Sequence, residues 1–219
     1  MTKNLTINGI AKKPLNIMFG DFTYYNRHTL YSRYTPLAVG NIAQYAKQEF
    51  GNDIEVSIFK NAEKFLTKAK EKKPDVVAFS VYYWALDLTK YVANQARKMF
   101  GKDVTIVLGG PCIDSNKKQQ IKFLTNTFPC ADVIAVNEGE LSFNSIIKRL
   151  VERKKSEAFK DPIDGASFML GDELIQGKPT GLTMDLGKMG SPYLSGLLDD
   201  FMHSDYQPLI QTSRFCPYT

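Results

Sequence analysis

The stretch PDVVAFSVYYWALDLTKYVANQARKMFGKDVTIVLGGP, residues 74–111, holds a strand, a helix and a second strand in succession. Val76-Val77-Ala78-Phe79 is a short continuous apolar run behind a proline, and it reads as a buried strand. From about Trp84 to Phe100 the chain reads as a long helix, closed by Gly101 as a helix-terminating glycine. Val104 to Leu108 is the next buried strand and ends abruptly in Gly109-Gly110-Pro111. Apolar strands separated by a helix imply a parallel pair with helices covering its faces.

The same alternation continues on both sides of this unit. Upstream, Leu15 to Phe19 reads as a buried strand, and a helix from about Thr35 to Phe50 stops at Gly51. Ile54 to Phe59 alternates apolar residues with Glu and Ser, which predicts a half-exposed edge strand. Phe65, Leu66 and Ala69 mark a short helix before Pro74. Downstream, Ile121 to Phe128 reads as a helix, Val133 to Val136 as a strand and Leu141 to Val151 as a helix. The expectation is an α/β fold: a flavodoxin-like, Rossmann-like, doubly wound parallel sheet of about five strands in the order 2-1-3-4-5.

After about residue 155 the rhythm changes. Ala166 to Leu170 and Glu173 to Gln176 flank Gly171-Asp172, a hairpin signal. From Gly177 to Tyr206 the chain is rich in Gly, Pro and Ser and reads as an irregular connector that packs on something. The expected organisation from this pattern is a ligand-binding domain over 1–155 followed by hairpin and connector over 156–208.

Composition excludes several classes of function. Of 219 residues, 43% are hydrophobic, enough for a sizeable core. The net charge of +5 is mild, and its lysine pairs are scattered, without the basic and aromatic stripe that nucleic-acid binding requires. No apolar run is long enough to span a bilayer, and the first residues lack a secretory signal. Three widely spaced cysteines, Cys112, Cys130 and Cys216, do not make a disulfide framework, which fits a reducing cytoplasm. His28 and His203, the two histidines, have no metal-ligand spacing with the cysteines.

Ligands of such sheets bind at the carboxyl ends of the strands. There the sequence places Phe22 in a long aromatic loop, Ser80-Val81-Tyr82, Gly109-Gly110-Pro111 and Asn137-Glu138-Gly139-Glu140. Adjacent glycines let a ligand approach the backbone closely. Phe22, Tyr24, Tyr25, Tyr31, Tyr34, Tyr82, Tyr83 and Trp84 add an aromatic surface suited to a large flat ligand rather than a free phosphate. Each signal also has a plain structural reading. Gly109-Gly110-Pro111 serves as an ordinary turn, Glu138 and Glu140 as acids favoured by a helix dipole, and the aromatics as helix packing. There is no dinucleotide-binding glycine fingerprint and no phosphate-binding loop.

Four segments taken together carry a resemblance: Tyr34-Thr35-Pro36-Leu37-Ala38-Val39-Gly40, Pro74 to Ser80, Val107 to Pro111, and Asn137 to Glu140. In order and spacing they resemble the cobalamin-binding domain at the N-terminus of many radical S-adenosylmethionine enzymes. Ser191 to Asp199 is similar to the connector that precedes the radical domain in that family, and Thr212-Ser213-Arg214-Phe215-Cys216-Pro217 to the opening of its three-cysteine motif. Phe215 stands where the family usually has glycine, and the motif is broken after Thr219.

The resemblance implies cobalamin lying across the carboxyl edge of the sheet. Ser80, Val81, Tyr82, Gly109, Gly110, Pro111, Glu138, Gly139 and Glu140 would form the surface for its tail and corrin, and Phe22, Tyr34, Pro36 and Leu37 would meet the corrin face. Relatives that coordinate cobalt through a D-x-H-x-x-G motif have His where this chain has Thr23, so no protein histidine is expected on the cobalt. Cys216 would be the first of three thiolates on a four-iron–four-sulfur cluster that holds S-adenosylmethionine, the others lying in the missing radical domain. The resemblance therefore implies a cobalamin module without radical activity by itself. A flavodoxin-like module for a flavin or nucleotide, or a non-binding interaction domain, are the competing readings.

Overall fold

A computed structural model of the protein describes residues 13–23, 25–26, 29–30, 33–181, 186–202 and 205–214. Its centre is a seven-stranded sheet. The strands are β1 (Leu15–Gly20), β2 (Ile54–Phe59), β3 (Val76–Ser80), β4 (Thr105–Gly109), β5 (Val133–Ala135), β6 (Ala166–Leu170) and β7 (Glu173–Gln176). Their order is β2-β1-β3-β4-β5-β6-β7. The first five are parallel, in the expected 2-1-3-4-5 order. β2, the strand with alternating polarity, lies at the edge and pairs with β1 from Leu15↔Ile54 to Gly20↔Phe59. The hairpin extends the sheet: β6 pairs antiparallel with β5 at Ile134↔Ser167 and Ala135↔Ala166.

The helices are α1 (Leu37–Phe50), α2 (Ala62–Lys72), α3 (Leu86–Phe100), α4 (Lys117–Lys122), α5 (Gly139–Glu152) and the short α6 (Lys155–Ala158) and α7 (Asp199–Met202). Side chains of a strand alternate between faces, so each strand feeds two cores. Ile17, Phe19, Val76, Ala78, Val107, Val133 and Ala135 pack under α1 and α5, against Val39, Ala43, Phe143 and Ile146. Met18, Val77, Phe79, Ile106, Leu108 and Ile134 pack under α2, α3 and the α4 region, against Phe65, Val92, Ala96 and Phe128.

Several boundaries differ from the sequence expectation: α1 begins at Leu37 and α5 at Gly139 rather than at Thr35 and Leu141, and two further differences have a local cause. The helix expected from Trp84 opens as a 3-10 turn, Tyr83–Ala85, before α3 proper. The helix expected over 121–128 begins at Lys117, where the Asn116 side chain accepts from the Lys118 amide, and ends in a π turn, Phe123–Thr127. Its polar first turn, Lys117-Lys118-Gln119-Gln120, lacks the apolar spacing by which a helix is read.

Beyond β7 the connector returns to the start of α1. Leu198 and Phe201 pack with Leu37, joined by Tyr193 and Tyr206. The Thr35 amide donates to the Gln207 carbonyl at 2.9 Å, and the Leu209 amide donates to the Thr35 hydroxyl at 3.1 Å. Residues 207–214 are thereby brought to the carboxyl edge of the sheet. Among the described residues no helix is long and apolar enough to cross a membrane.

Candidate functional site

On the face covered by α1 and α5, three strands lose side-chain bulk toward their carboxyl ends. β3 runs Val76, Ala78, Ser80; β4 runs Val107, Gly109; β5 runs Val133, Ala135. The helices that rest on the valines meet progressively less side chain at Ala78, Gly109 and Ala135, one step further on. The result is a cleft of about 440 Å³ between the first turns of α1 and α5, within the usual range for small-molecule sites. Ala78, Ser80, Val107, Gly109 and Ala135 form its floor. Val39, Asn41 and Ile42 of α1 form one wall, and Gly139, Glu140 and Phe143 of α5 the other. Tyr82, Pro111 and Ile113 stand at the rim, and Gln211 and Arg214 close the outer side.

The two adjacent glycines perform different tasks. Gly110 has φ +102°, and a Cβ there would lie 2.9 Å from the Val81 nitrogen and 3.0 Å from its carbonyl oxygen. That close approach lets the Val81 amide donate to the Gly109 carbonyl at 2.8 Å, so the β4 turn is tied to the loop after β3. Gly109 is under no such constraint. Among the described residues, a Cβ there would meet the Ala135 Cβ alone within 4 Å, at 3.8 Å. Gly110 shapes the turn; Gly109 leaves space in the floor. Asn137, at the end of β5, takes the left-handed conformation with φ 65°, which Asn tolerates better than most residues.

The electrostatics of the rim are organised around buried pairs. Arg214 hydrogen-bonds the Glu140 carboxylate and lies 3.5 Å from that of Glu138; the three side chains are 12%, 7% and 11% exposed. Burial alone would lower the pKa of Arg214, but the hydrogen bond and charge of Glu140, with the charge of Glu138, hold it above its ordinary value. Asp21, just past β1, is paired with the buried Lys60 ammonium at 3.3 Å. Burial pushes its pKa up, against the opposing charge of Lys60. Burial also raises the Tyr82 phenol, the charge of Asp21 adds to this, and Ser80 partly offsets it. Tyr82 therefore offers a neutral hydroxyl beside a largely apolar floor.

The cleft gathers Ser80, Tyr82, Gly109, Gly110, Pro111, Gly139 and Glu140 from the sequence-derived set. Others in that set lie elsewhere. Phe22 is 1% exposed and packs on Phe65 and Phe79 in the opposite core. Val81 is fully buried in that same core, and its backbone anchors the turn. Tyr34 is 50% exposed, Pro36 caps α1, and Leu37 lines a neighbouring cavity. Glu138 stands behind Glu140, against Arg214. Cys216, His28, His203, Tyr24 and Tyr31 lie outside the described residues. Among the described residues, no group of three acidic, His or Cys side chains could hold a metal.

Sequence reasoning missed Ala78 and Ala135, Asn41 and Arg214. The first two were detectable as the smaller members of the pairs Val76/Ala78 and Val133/Ala135. Asn41 was visible as a polar residue on the apolar side of α1. Arg214 stood in the segment read as the opening of a cysteine motif, and nothing there marked it as a wall of the cleft, because its partner Glu140 lies 74 residues earlier in the chain.

Comparison with known proteins adds the following. Residues 26–147, more than half of the 219, match the B12 binding domain family. A 2-(S-pantetheinyl)-carbapenam-3-carboxylate methyltransferase of Streptantibioticus cattleyicolor is 27% identical over 196 residues, 85% of this chain and 28% of that protein. An uncharacterized methyltransferase of Pyrococcus horikoshii is 24% identical over 151 residues, 68% of this chain and 31% of that protein. The matched chain thus spans less than a third of either relative. A solved cobalamin-binding protein from Desulfitobacterium hafniense DCB-2 aligns with a TM-score of 0.42 at 15% identity, over 63% of this chain and 59% of that one.

Proposed function

The chain belongs to the B12-binding domain family, and from that premise we propose that it is the cobalamin module of a radical S-adenosylmethionine methyltransferase. The cleft takes the nucleotide tail, and the corrin rests on the carboxyl edge of the sheet. The observation that supports this best is the floor of Ala78, Gly109 and Ala135, an apolar slot between two helices with no side chain rising from Gly109. A flat heteroaromatic base fits such a slot, with the Ser80 hydroxyl and the Asn41 amide at its polar edges. The residues present therefore fit the group.

Each element of the chain has a task in this reading. Gly110 and Val81 hold the β4 turn open, and Tyr82 and Pro111 form the rim against which the macrocycle lies. Tyr34, Pro36 and Leu37, outside the cleft at the start of α1, would be left to meet the corrin face, while the buried Phe22 packs behind Phe79 and would not touch the ligand. When bound, cobalamin supplies a cobalt centre for methyl transfer, and the protein orients it. Residues 1–155 bind the cofactor, 156–208 connect, and 209–219 open the catalytic domain. There Cys216 would be the first thiolate of a four-iron–four-sulfur cluster that binds S-adenosylmethionine. The two methyltransferase relatives, each more than three times the length matched, are consistent with a further catalytic part.

Incubation with hydroxocobalamin followed by gel filtration tests the reading. Corrin absorbance eluting with the protein is expected. A folded, monodisperse protein that elutes without it, or that purifies with yellow flavin absorbance, refutes it.

A further inference from the structure

Residues 207–214 cross the carboxyl edge with little apolar anchoring: Leu209 and Ile210 are 42% and 76% exposed. Backbone bonds around Thr35 hold the beginning of the segment, and Tyr193 donates to the Leu209 carbonyl at 2.7 Å. Its far end is fixed by Arg214, whose guanidinium is inserted between two nearly buried carboxylates. A planar guanidinium suits that position because its fork can serve both acids. Without it, Glu138 and Glu140 would be like charges in a poorly hydrated site, which is costly.

Arg214 and Gln211 also line two cavities at once. One is the cleft; the other, of about 320 Å³, lies between α1 and the connector and is lined by Leu37, Pro192 and Tyr193. The two cavities share Asn41, Gln211 and Arg214, which form the partition between them. The cleft exists with Arg214 in place, so Arg214 is a wall of the cleft and not a plug in it.

We propose that Arg214 is a latch: seated between Glu138 and Glu140, it holds residues 207–214 down as the outer wall of the cleft, so that cofactor occupancy and docking of this segment strengthen each other. The coupling rests on the cobalamin reading above; the docking does not. Coupling of this kind is reciprocal. If the docked segment raises affinity for the ligand, the ligand must stabilise the docked segment by the same factor. Arg214 is a positioning residue in this scheme, since it sets where the segment leaving the domain stands relative to the cofactor.

The 219-residue chain and its Arg214→Ala and Arg214→Lys variants test this. Amide hydrogen exchange is followed with and without hydroxocobalamin, and affinity is measured by equilibrium dialysis. In the unliganded chain, Arg214→Ala should speed exchange over 207–214 while sheet amides stay protected; unchanged exchange there overturns the latch. Hydroxocobalamin should slow exchange over 207–214 in the wild type and not in Arg214→Ala. Affinity should fall about tenfold in Arg214→Ala, with Arg214→Lys between, because a coupling of ordinary size gives roughly 5–150-fold. Equal or tighter binding by Arg214→Ala overturns the coupling. A wild-type chain that takes up no hydroxocobalamin overturns the cobalamin reading and the coupling, and exchange in the unliganded chain then decides the docking alone.

Discussion

Gly109→Leu separates binding from folding more cleanly than any other change in the cleft. A Cβ at Gly109 has 3.8 Å to its nearest described neighbour, and φ at this position lies outside the left-handed region, so the backbone accepts a side chain. Replacing a strand glycine also removes roughly 0.5–1 kcal/mol of conformational penalty. Thermal unfolding should therefore stay within a few degrees of the wild type or rise. The added side chain, however, occupies the floor on which a flat base would lie. A bicyclic aromatic group buries roughly 150–250 Å², as aromatic side chains do, which at about 25 cal/mol/Å² gives roughly 4–6 kcal/mol. That corresponds to roughly 10³–10⁴ in affinity. Partial accommodation keeps some of it, so a loss of at least about 100-fold is expected. Equilibrium dialysis with hydroxocobalamin measures the loss, and circular dichroism checks the fold. Binding within about threefold of the wild type by a folded Gly109→Leu would refute the assignment of this floor. Gly110 is not an equivalent site: with φ +102° and Val81 backbone atoms at 2.9 and 3.0 Å, even Gly110→Ala should cost about 1–3 kcal/mol of stability.

Lys60→Met should destabilise by about 3 kcal/mol, because it strands the buried Asp21 carboxylate. Asp21→Leu combined with Lys60→Met should recover most of that loss in urea unfolding. Burial raises the pKa of Asp21, so the folded chain keeps this proton to higher pH than the unfolded chain. The associated stability is complete below the unfolded value of about 3.9 and is lost as pH rises through the folded one. Removing Lys60 removes the charge that opposes the shift, so the Lys60→Met penalty should be smaller at about pH 4 than at about pH 7, and an equal penalty at both would contradict the assignment. At the opposite edge of the sheet, Asp132 accepts from Arg97 at 2.6 Å, from the Ile106 amide at 2.7 Å and from Lys155 at 3.2 Å. Asp132→Ala should cost about 2–3 kcal/mol in urea unfolding while leaving hydroxocobalamin retention unchanged; a loss of retention without unfolding would mean that the two edges are coupled.

The order of the parallel strands was legible because burial leaves its mark on composition. β2 alternates Ile54, Val56 and Ile58 with Glu55 and Ser57, as a strand with one neighbour should, and it is the edge strand. β3 and β4 carry the apolar runs Val76–Phe79 and Ile106–Leu108 without alternation, and both lie inside. The hairpin turn was equally legible, since Gly171 at φ 61° takes the conformation its sequence suggests. Its docking on β5 was not. A four- or five-residue strand does not specify which free edge it will join, and β5 contributes just Ile134 and Ala135 to that pairing.

The site was legible in its loops and obscure in its floor for one physical reason. Turn residues announce themselves by chemistry, so Gly109-Gly110-Pro111 and Asn137-Glu138-Gly139-Glu140 stand out in the sequence. A cavity is defined by what is missing, and the absence of a few methyl groups at Ala78, Gly109 and Ala135 has no composition of its own. It becomes visible when residues two apart on one face are compared: Val76 with Ala78, Val107 with Gly109, Val133 with Ala135. Aromatic residues misled in the opposite sense. Phe22 is large and lies in a strand-end loop, yet its ring fills the opposite core against Phe65 and Phe79. It lies there because a Phe two residues past β1 points to the side where Gly20 leaves room: a Cβ at Gly20 would stand 2.4 Å from the Phe22 ring. In a layered sheet the helices must be given something to rest on and something to span. A ligand cleft is therefore expected where adjacent strands change from branched to small residues on the same face, whatever the loops above them contain.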